Sequence, residues 1–371
     1  MNPLRRLHDF GQSLWYDNIE RRLLKSGELA RMIEEDGLCG ITSNPTIFEK
    51  AITGSKDYDA ALARLVRSGD GIDGRALFFD LAIQDIQAAA DLLRPVYDRS
   101  GGRDGFVSLE VSPDLAYDSE ATIAEAERLH ARVDRPNLMI KVPATQEGVA
   151  AFAALTAKGI SINVTLLFSV DRYKEVVEAY LDGLETRLRR GQPMQGIASV
   201  ASFFVSRVDT AVDKLLEQRG GKGLQGRIAI ANAKLAYAWD QQVFGGVRFA
   251  KLREAGAAAQ RLLWASTGTK NTAYSDVLYI EALIGPDTVN TVPPATYAAY
   301  KDHGQPRLTL TDGLDEAQRN VAQLKQMGID LAEVTAQLEK EGVQSFAKSF
   351  DNLLEAIASK AAALGGRRAV G

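Results

Sequence analysis

Residues 106–112 read Phe-Val-Ser-Leu-Glu-Val-Ser, and residues 160–166 read Ile-Ser-Ile-Asn-Val-Thr-Leu. Side chains alternate along a strand, so Glu110 in the first stretch and Asn163 and Thr165 in the second belong to polar faces that lie opposite apolar ones. If helices cover the apolar faces, the polar faces point into a closed sheet, where unpaired polar groups cost several kcal/mol. Two alternatives stay open: a half-exposed antiparallel strand, or a buried polar network that satisfies itself.

The same unit recurs along the chain as a short β-like run followed by a longer amphipathic stretch, which is typical of parallel βα units. The predicted strands are 13–17, 38–42, 106–111, 138–142, 160–166, 199–205, 261–266 and 289–292. No Gly-x-Gly-x-x-Gly turn follows the first strand, which disfavours an open dinucleotide-binding sheet. Eight runs of this kind predict an α/β fold, a (β/α)8 TIM barrel with additional C-terminal helices.

We expect one domain over residues 1–371, in which 296–371 form the last barrel helix and a C-terminal helical extension packed on the outside. The clearest predicted helices are 76–93, 171–188, 315–327 and 331–364. Asp171 is expected to cap the second of them. Two long helical segments between Arg207 and Gln260 indicate an extra helix in one unit.

Composition excludes several classes of protein. A net charge of −4 without a basic tract argues against a nucleic-acid partner. The single cysteine, Cys39, excludes an intramolecular disulfide, and the three histidines are scattered, so neither a metal site nor a Ser-His-Asp triad is expected. The absence of an 18-residue apolar run or an apolar leader predicts a cytoplasmic protein with no membrane contact.

Lys141 is the most informative single residue. It occupies the middle of 138–143, Leu-Met-Ile-Lys-Val-Pro, on the face that should point inward. Burial disfavours the charged form of an amine, and a neutral amine can attack a ketone to form a Schiff base. The alternative is a structural lysine that pairs with an inward carboxylate, for which Glu110 is available. The polar residues Asn163 and Thr165 on the next strand favour the catalytic interpretation.

Asp17 and Asn44 follow the first two predicted strands, and each has a structural alternative. Asp17 could be a helix cap for 18–26, and Asn44, which precedes Pro45, could form an Asx turn.

Two stretches beyond strand ends contain cations suited to a phosphate. Ser202, Phe204 and Arg207 belong to the first, and Ser266 and Lys270 to the second, where a glycine also allows backbone N–H groups to turn toward an anion. Loops of this kind often have structural roles only.

Three motifs taken in order, 41–46 (Ile-Thr-Ser-Asn-Pro-Thr), 140–145 (Ile-Lys-Val-Pro-Ala-Thr) and 163–169 (Asn-Val-Thr-Leu-Leu-Phe-Ser), closely resemble the transaldolase family in its longer bacterial form. The resemblance extends from about residue 13 to 294 and is fainter in the C-terminal helices. It implies a class I aldolase barrel that uses no metal or cofactor and acts as a monomer or homodimer. It also implies transfer of a dihydroxyacetone unit between sugar phosphates, from sedoheptulose 7-phosphate to glyceraldehyde 3-phosphate, in the non-oxidative pentose phosphate pathway.

The resemblance also implies roles for individual residues. Lys141 matches the Schiff-base lysine, Glu110 and Thr165 the pair that hold the catalytic water, and Asp17 the general acid/base. The residues that match substrate-binding positions are Asn44 and Asn163 for hydroxyls, Ser202 and Phe204 in the pocket, and Arg207 for phosphate. One position departs from the family pattern. Many relatives have an arginine shortly after the serine that Ser266 matches, whereas here the loop is longer and Lys270 stands nearest to that role.

Three other functions remain as alternatives. A simple aldolase of the same fold would release dihydroxyacetone instead of transferring it. A non-catalytic barrel that binds a sugar phosphate would need Lys141 to be structural only. A dehydrogenase would need a nucleotide-binding motif, which this sequence lacks.

Overall fold

The structure is a computed structural model that describes residues 2–68 and 73–365. Its strands are β1 (Gln12–Tyr16), β2 (Gly40–Ile41), β3 (Phe106–Glu110), β4 (Leu138–Pro143), β5 (Ile162–Leu167), β6 (Ser199–Phe204), β7 (Arg261–Ala265) and β8 (Thr288–Val292). They form one closed barrel in chain order, and β8 pairs in parallel with β1. The predicted (β/α)8 barrel is confirmed, and the antiparallel alternative is wrong.

Helices surround this barrel on all sides. They are α1 (Arg21–Lys25), α2 (Glu28–Glu35), α3 (Pro45–Thr53), α4 (Asp59–Ser68), α5 (Gly74–Arg99), α6 (Ser119–Val133), α7 (Gln146–Lys158), α8 (Val170–Arg189), α9 (Ser206–Arg219), α10 (Ile228–Phe244), α11 (Val247–Glu254), α12 (Leu278–Ala282), α13 (Pro294–His303), α14 (Leu314–Gln326) and α15 (Leu331–Gly365). Short 3₁₀ helices occupy Arg5–Phe10, Pro113–Leu115 and Lys222–Leu224. The extra helix expected before β7 is present, since α9, α10 and α11 all lie between β6 and β7.

The boundaries of one helix and one strand differ from those that the sequence predicts. Helix α8 begins at Val170, and the side chain of Ser169 accepts a hydrogen bond of 3.1 Å from the backbone N–H of Arg172. The expected cap at Asp171 is therefore wrong, because Ser169, two residues earlier, is the N-cap and Asp171 already lies in the first turn of the helix. Strand β2 is also shorter than predicted, with only Gly40 and Ile41 in the ladder.

The register of the central strands places the inward polar side chains at one level. Glu110 is paired with Lys141 across β3 and β4, and Lys141 with Asn163 across β4 and β5. The amide of Asn163 bonds two further inward side chains: it donates to Ser108 Oγ at 3.0 Å and accepts from Ser202 Oγ at 2.6 Å. These bonds satisfy the buried amide, so the barrel interior carries a closed polar layer directly beside the lysine.

The sequence predicts that the C-terminal extension packs on the outside of the barrel, whereas in the structure part of it also covers the mouth of the barrel. Helix α15 packs against α3, α4, α5 and α9 and reaches the carboxyl end of β5, so it crosses the mouth of the barrel. There Phe346 is buried over the barrel interior, and Gly342 approaches Leu166 so closely that a Cβ would lie 2.9 Å from its side chain. The predicted extension runs to Gly371, and residues 366–371 lie outside the described residues.

Within residues 2–68 and 73–365, we find no helix with both the length and the apolar character needed to cross a membrane.

Candidate active site

A cavity of about 430 Å³ opens at the carboxyl ends of the strands, the end at which α/β barrels carry their active sites. Every strand-end segment with a predicted functional residue contributes to it, except those of β3 and β5. The predicted residues that line it are Asp17, Asn44, Lys141, Ser202, Phe204, Arg207, Ser266 and Lys270. Glu110, Thr165 and Asn163 are buried on the strands that flank Lys141 and do not line the cavity.

Lys141 forms the floor of this cavity. Its side chain is almost fully buried, and its Nζ lies 3.3 Å from Glu110 Oε2. The same Nζ donates a hydrogen bond of 3.1 Å to the carbonyl oxygen of Ser43. The ring centroid of Phe346 lies 5.9 Å from Nζ on the cavity side. A carbonyl compound in the cavity can therefore reach an amine that bulk water hardly contacts.

Glu110 and Thr165 lie on the strands on either side of the amine. Burial raises the pKa of Glu110 to about 7, although the nearby charge of Lys141 opposes the shift. Among the described residues, Thr165 Oγ1 has no hydrogen-bond partner, and Glu110 Oε2 has none beyond its ion pair with Lys141. Both oxygens are thus free to bond a small polar molecule, and a carboxyl that titrates near neutrality can both accept and donate a proton.

Asp17 directly follows β1 and lines the same cavity. It accepts a hydrogen bond of 2.6 Å from Thr42 Oγ1, whose oxygen also lies 2.6 Å from Thr291 Oγ1. Burial raises the pKa of Asp17, and the charge of Lys141 and the bond from Thr42 oppose this shift. The alternative that Asp17 caps the next helix is wrong, because α1 does not begin until Arg21.

The two asparagines have structural partners. Asn44 caps α3, since its Oδ1 accepts a bond of 3.0 Å from the backbone N–H of Ile47. The structural use that the sequence left open is therefore present, although Asn44 lines the cavity as well. The side chain of Asn163 is used in the polar layer with Ser108 and Ser202. Contact of either asparagine with substrate hydroxyls stays a prediction.

Arg207 is a half-buried cation in the first turn of α9. Its guanidinium carbon lies 5.3 Å from the ring centroid of Phe204 and 5.9 Å from that of Phe346. Burial lowers the pKa of Arg207, and the charge of Asp17 opposes this effect. No hydrogen bond or ion pair joins the guanidinium to another residue in the described part of the chain. A desolvated guanidinium with free N–H groups is well suited to a phosphate.

The segment after β7 supplies the second cation. Ser266 has the left-handed backbone conformation (φ +55°), and its Oγ lies 2.9 Å from that of Ser206 at the start of α9. This contact joins the two stretches that the sequence assigned to phosphate. Lys270 follows on the exposed part of the segment and lines the cavity.

Several residues that line the cavity were not predicted from the sequence, among them Thr42, Lys50, Thr291 and Phe346. Thr42 lies within a quoted motif, and a hydroxyl beside a strand-end aspartate was a usable signal. No comparable sequence signal marks Phe346, because an aromatic residue in an amphipathic helix is ordinarily part of the core.

The fold and the site together define a class of protein: an α/β barrel with a buried lysine at the floor of a cavity, one carboxylate paired with it, a second carboxylate in the same cavity, and cations at the rim. Such a site can form a Schiff base with a phosphorylated ketone. No cluster of His, Cys, Asp and Glu side chains suited to a metal ion occurs within residues 2–68 and 73–365.

Comparison with known proteins gives the family. Residues 14–357 match the family described as transaldolase/fructose-6-phosphate aldolase, and the chain belongs to this family. It is 49% identical over 358 residues to Transaldolase 1 of Streptomyces coelicolor, covering 95% of this chain and 93% of the relative. It is 49% identical over 360 residues to the transaldolase of Thiobacillus denitrificans, covering 96% of this chain and 100% of the relative. Transaldolase 1 of Streptomyces avermitilis is 48% identical over 360 residues, or 96% and 95% of the two chains.

Proposed function

We propose that the protein is a transaldolase, which transfers a dihydroxyacetone unit from sedoheptulose 7-phosphate to glyceraldehyde 3-phosphate and so yields erythrose 4-phosphate and fructose 6-phosphate. This is a reaction of the non-oxidative pentose phosphate pathway. The observation that carries the proposal is the buried amine of Lys141, 3.3 Å from a carboxylate and open to a cation-lined cavity. The names of the relatives agree with it.

The reaction begins at Lys141. Its neutral amine attacks the C2 carbonyl of the ketose phosphate, and the resulting carbinolamine loses water to give an imine. Glu110 accepts and returns the protons of this step, and a water molecule held between Glu110 and Thr165 is the carrier. The pKa of about 7 for Glu110 supports this role, since an acid/base group works best when it titrates near the working pH.

Cleavage of the carbon–carbon bond requires a base at the C4 hydroxyl. Asp17 takes this proton, directly or through water, the C3–C4 bond breaks, and the aldose phosphate leaves. The electron pair of the broken bond moves into the protonated imine, which acts as the electron sink. The three-carbon enamine then adds to the aldehyde carbon of the acceptor, Asp17 returns its proton, and hydrolysis restores Lys141.

The phosphate groups of donor and acceptor bind at the rim, where they orient the reacting carbons. Arg207 binds phosphate oxygens through its fork of N–H groups, and Lys270 adds a second charge. Contacts this far from the reacting carbons accelerate the reaction by orientation, because they hold the aldehyde carbon at attack distance.

The alternative within the family is a simple aldolase, since the family description includes fructose-6-phosphate aldolase. The two activities differ only in the fate of the three-carbon intermediate. Phe346 lies over the amine and limits the access of water to it, which favours transfer to a second sugar over release of dihydroxyacetone.

Trapping of the intermediate tests the proposal. The protein is incubated with fructose 6-phosphate, reduced with borohydride, and digested for mass spectrometry of the modified peptide. A dihydroxyacetone-sized adduct on Lys141 is expected, together with transfer when erythrose 4-phosphate is added. No adduct on a folded protein would contradict the chemistry, and an adduct on another lysine would contradict the assignment of the site.

We also propose that the enzyme works in the cytoplasm as a monomer or homodimer and that its 371 residues form one domain. Light scattering measures the oligomeric state. Coincident unfolding curves from two spectroscopic signals test whether the chain unfolds as one domain.

A further inference from the structure

The segment from Ser266 to Tyr279, which carries Lys270, lies along α9, the helix that carries Arg207. Three side-chain contacts join them, at the start, the middle and the end of the segment. They are Ser266 Oγ to Ser206 Oγ at 2.9 Å, Tyr274 OH to Asp213 Oδ2 at 2.7 Å, and Tyr279 OH to Asp209 Oδ2 at 3.0 Å. The segment is therefore fastened to the helix that carries Arg207, at points on both sides of Lys270 in the chain.

In the middle contact, both carboxylate oxygens of Asp213 accept a hydrogen bond. Asp213 Oδ1 accepts a hydrogen bond of 3.1 Å from the backbone N–H of Gly226, while Oδ2 accepts the one from Tyr274. Gly226 has a left-handed backbone (φ +69°), and a Cβ at this position would lie 2.9 Å from the ring of Tyr274. The tyrosine thus packs on a glycine that also fixes the orientation of its carboxylate partner.

A tight turn transmits this contact to Lys270. The backbone N–H of Tyr274 bonds to the carbonyl oxygen of Asn271 at 3.1 Å, and Thr269 Oγ1 donates to the carbonyl oxygen of Ser275 at 2.8 Å. Lys270 directly precedes this turn, inside the loop that the Thr269–Ser275 bond closes, and is exposed. Within the described residues its amine has no hydrogen-bond or ion-pair partner, so the backbone of this loop determines where its charge can lie.

We propose that Tyr274 and Asp213 form a latch that positions Lys270 as the second cation for a substrate phosphate, at a set place relative to Arg207. The inference rests on the proposed function, because it takes a sugar phosphate as the ligand. Tyr274 is a positioning residue, since it acts through Lys270 and does not line the cavity.

The chemistry of the two cations explains why a latch is needed on this side. A guanidinium orients a phosphate through two parallel N–H groups, whereas a lysine is a point charge on a flexible stem. The contribution of Lys270 therefore depends on where the backbone holds it. In the Tyr274→Phe variant the ring remains on Gly226, but the bond to Asp213 is lost and the turn gains freedom.

The first test uses inorganic phosphate as the probe and calorimetry as the measurement, so it requires no turnover. Tyr274→Phe is expected to weaken phosphate binding by about threefold to tenfold, and to have no further effect in a Lys270→Ala background. Tyr279→Phe is the matched control: it removes the same hydroxyl from a carboxylate one turn earlier on α9. It should lower the thermal midpoint and leave phosphate affinity within about twofold.

Three results would overturn the latch. They are unchanged phosphate affinity in Tyr274→Phe, an equal loss with and without Lys270, and no phosphate binding by the unaltered protein. Circular dichroism and thermal melting establish that each variant is folded before its affinity is compared.

A kinetic test separates the latch from the proposed function. With erythrose 4-phosphate as acceptor, Tyr274→Phe should raise KM and leave kcat nearly unchanged, and with unphosphorylated erythrose neither should change. If the unaltered protein transfers dihydroxyacetone but Tyr274→Phe matches it with both acceptors, the latch fails and the proposed function stands. If it transfers none, the proposed function fails, and the calorimetry still decides the latch.

Discussion

The Nζ atom of Lys141 lies 3.3 Å from Oε2 of Glu110, and the two residues are register partners on β4 and β3. Backbone hydrogen bonds of the barrel fix this register, and both side chains are buried. The amine must lose a proton before it can attack a carbonyl, and the nearest carboxylate is held at the distance needed to receive it. The pairing that the sequence treated as an alternative to catalysis is therefore compatible with catalysis.

Replacement of Lys141 by methionine should abolish turnover, by more than about three orders of magnitude, because among the described residues no other amine lies at the floor of the cavity. The borohydride adduct should disappear with it. Lys158→Met, which removes an exposed lysine paired with Glu127, is the control and should keep full activity. Substantial transfer by the Lys141 variant would exclude the Schiff-base mechanism.

The pH dependence should report the ionisation of Glu110. Its pKa of about 7 means that the ionised base forms as the pH rises through neutrality, so kcat/KM should increase along an acid limb centred near pH 7. Glu110→Gln should reduce kcat roughly 100-fold or more and flatten that limb. A variant that keeps the limb unchanged would assign it to another group.

Phe346 should control the partition of the intermediate between transfer and release. Phe346→Ala removes the ring over Lys141 and Arg207, so water gains access and more dihydroxyacetone should be released per transfer event. The cost in stability should be about 3 kcal/mol or more, as for other buried aromatic truncations. Leu353→Ala, a buried residue further along α15, is the control, and should lower stability without changing the product ratio. An unchanged ratio in both variants would show that the ring does not exclude water.

Arg207 should determine affinity for phosphorylated acceptors. Arg207→Ala should raise KM for erythrose 4-phosphate by about tenfold or more, and Arg207→Lys should recover only part of this, because a point charge replaces a fork. Arg227→Ala, which removes an exposed arginine paired with Glu316, is expected to have no effect. Equal losses with phosphorylated and unphosphorylated acceptors would argue for a structural role.

Asp240 does not line the cavity, and we expect its ionisation to change stability without changing the chemistry of the site. Tyr173 OH donates to its carboxylate at 2.5 Å, yet burial raises the pKa of Asp240 from 3.8 to about 7. Between these values the folded protein binds more protons than the unfolded chain, so this group makes the protein less stable as the pH rises. Relative to Asp240→Asn, the free energy of unfolding should fall between pH 5 and pH 8 by about 3 kcal/mol at most, nearly all of it below pH 7. Parallel urea-unfolding curves for both proteins at the two pH values measure it, and a constant difference would show that Asp240 titrates normally.

The local pattern of the sequence was sufficient for the barrel and for the centre of the site. Alternation in 106–112 and 160–166 assigned Glu110, Asn163 and Thr165 to inward faces, and the fold that follows brings strand ends together whatever loops connect them. Because parallel register is set by backbone pairing, a lysine predicted in mid-strand had to meet the inward side chains of its neighbours. The side chains brought together at that floor could therefore be predicted, because they belong to strands with clear patterns.

The contacts that only the tertiary structure determines lie at the rim of the cavity. Phe346 reaches the amine of Lys141 across more than 200 residues of sequence, and Tyr274 meets Asp213 across 61. Helical periodicity shows that a residue faces inward, but not which helix crosses the mouth of the barrel or which carboxylate a loop tyrosine will find. These contacts depend on the packing of elements that are distant in the chain, and packing is a property of the assembled surfaces.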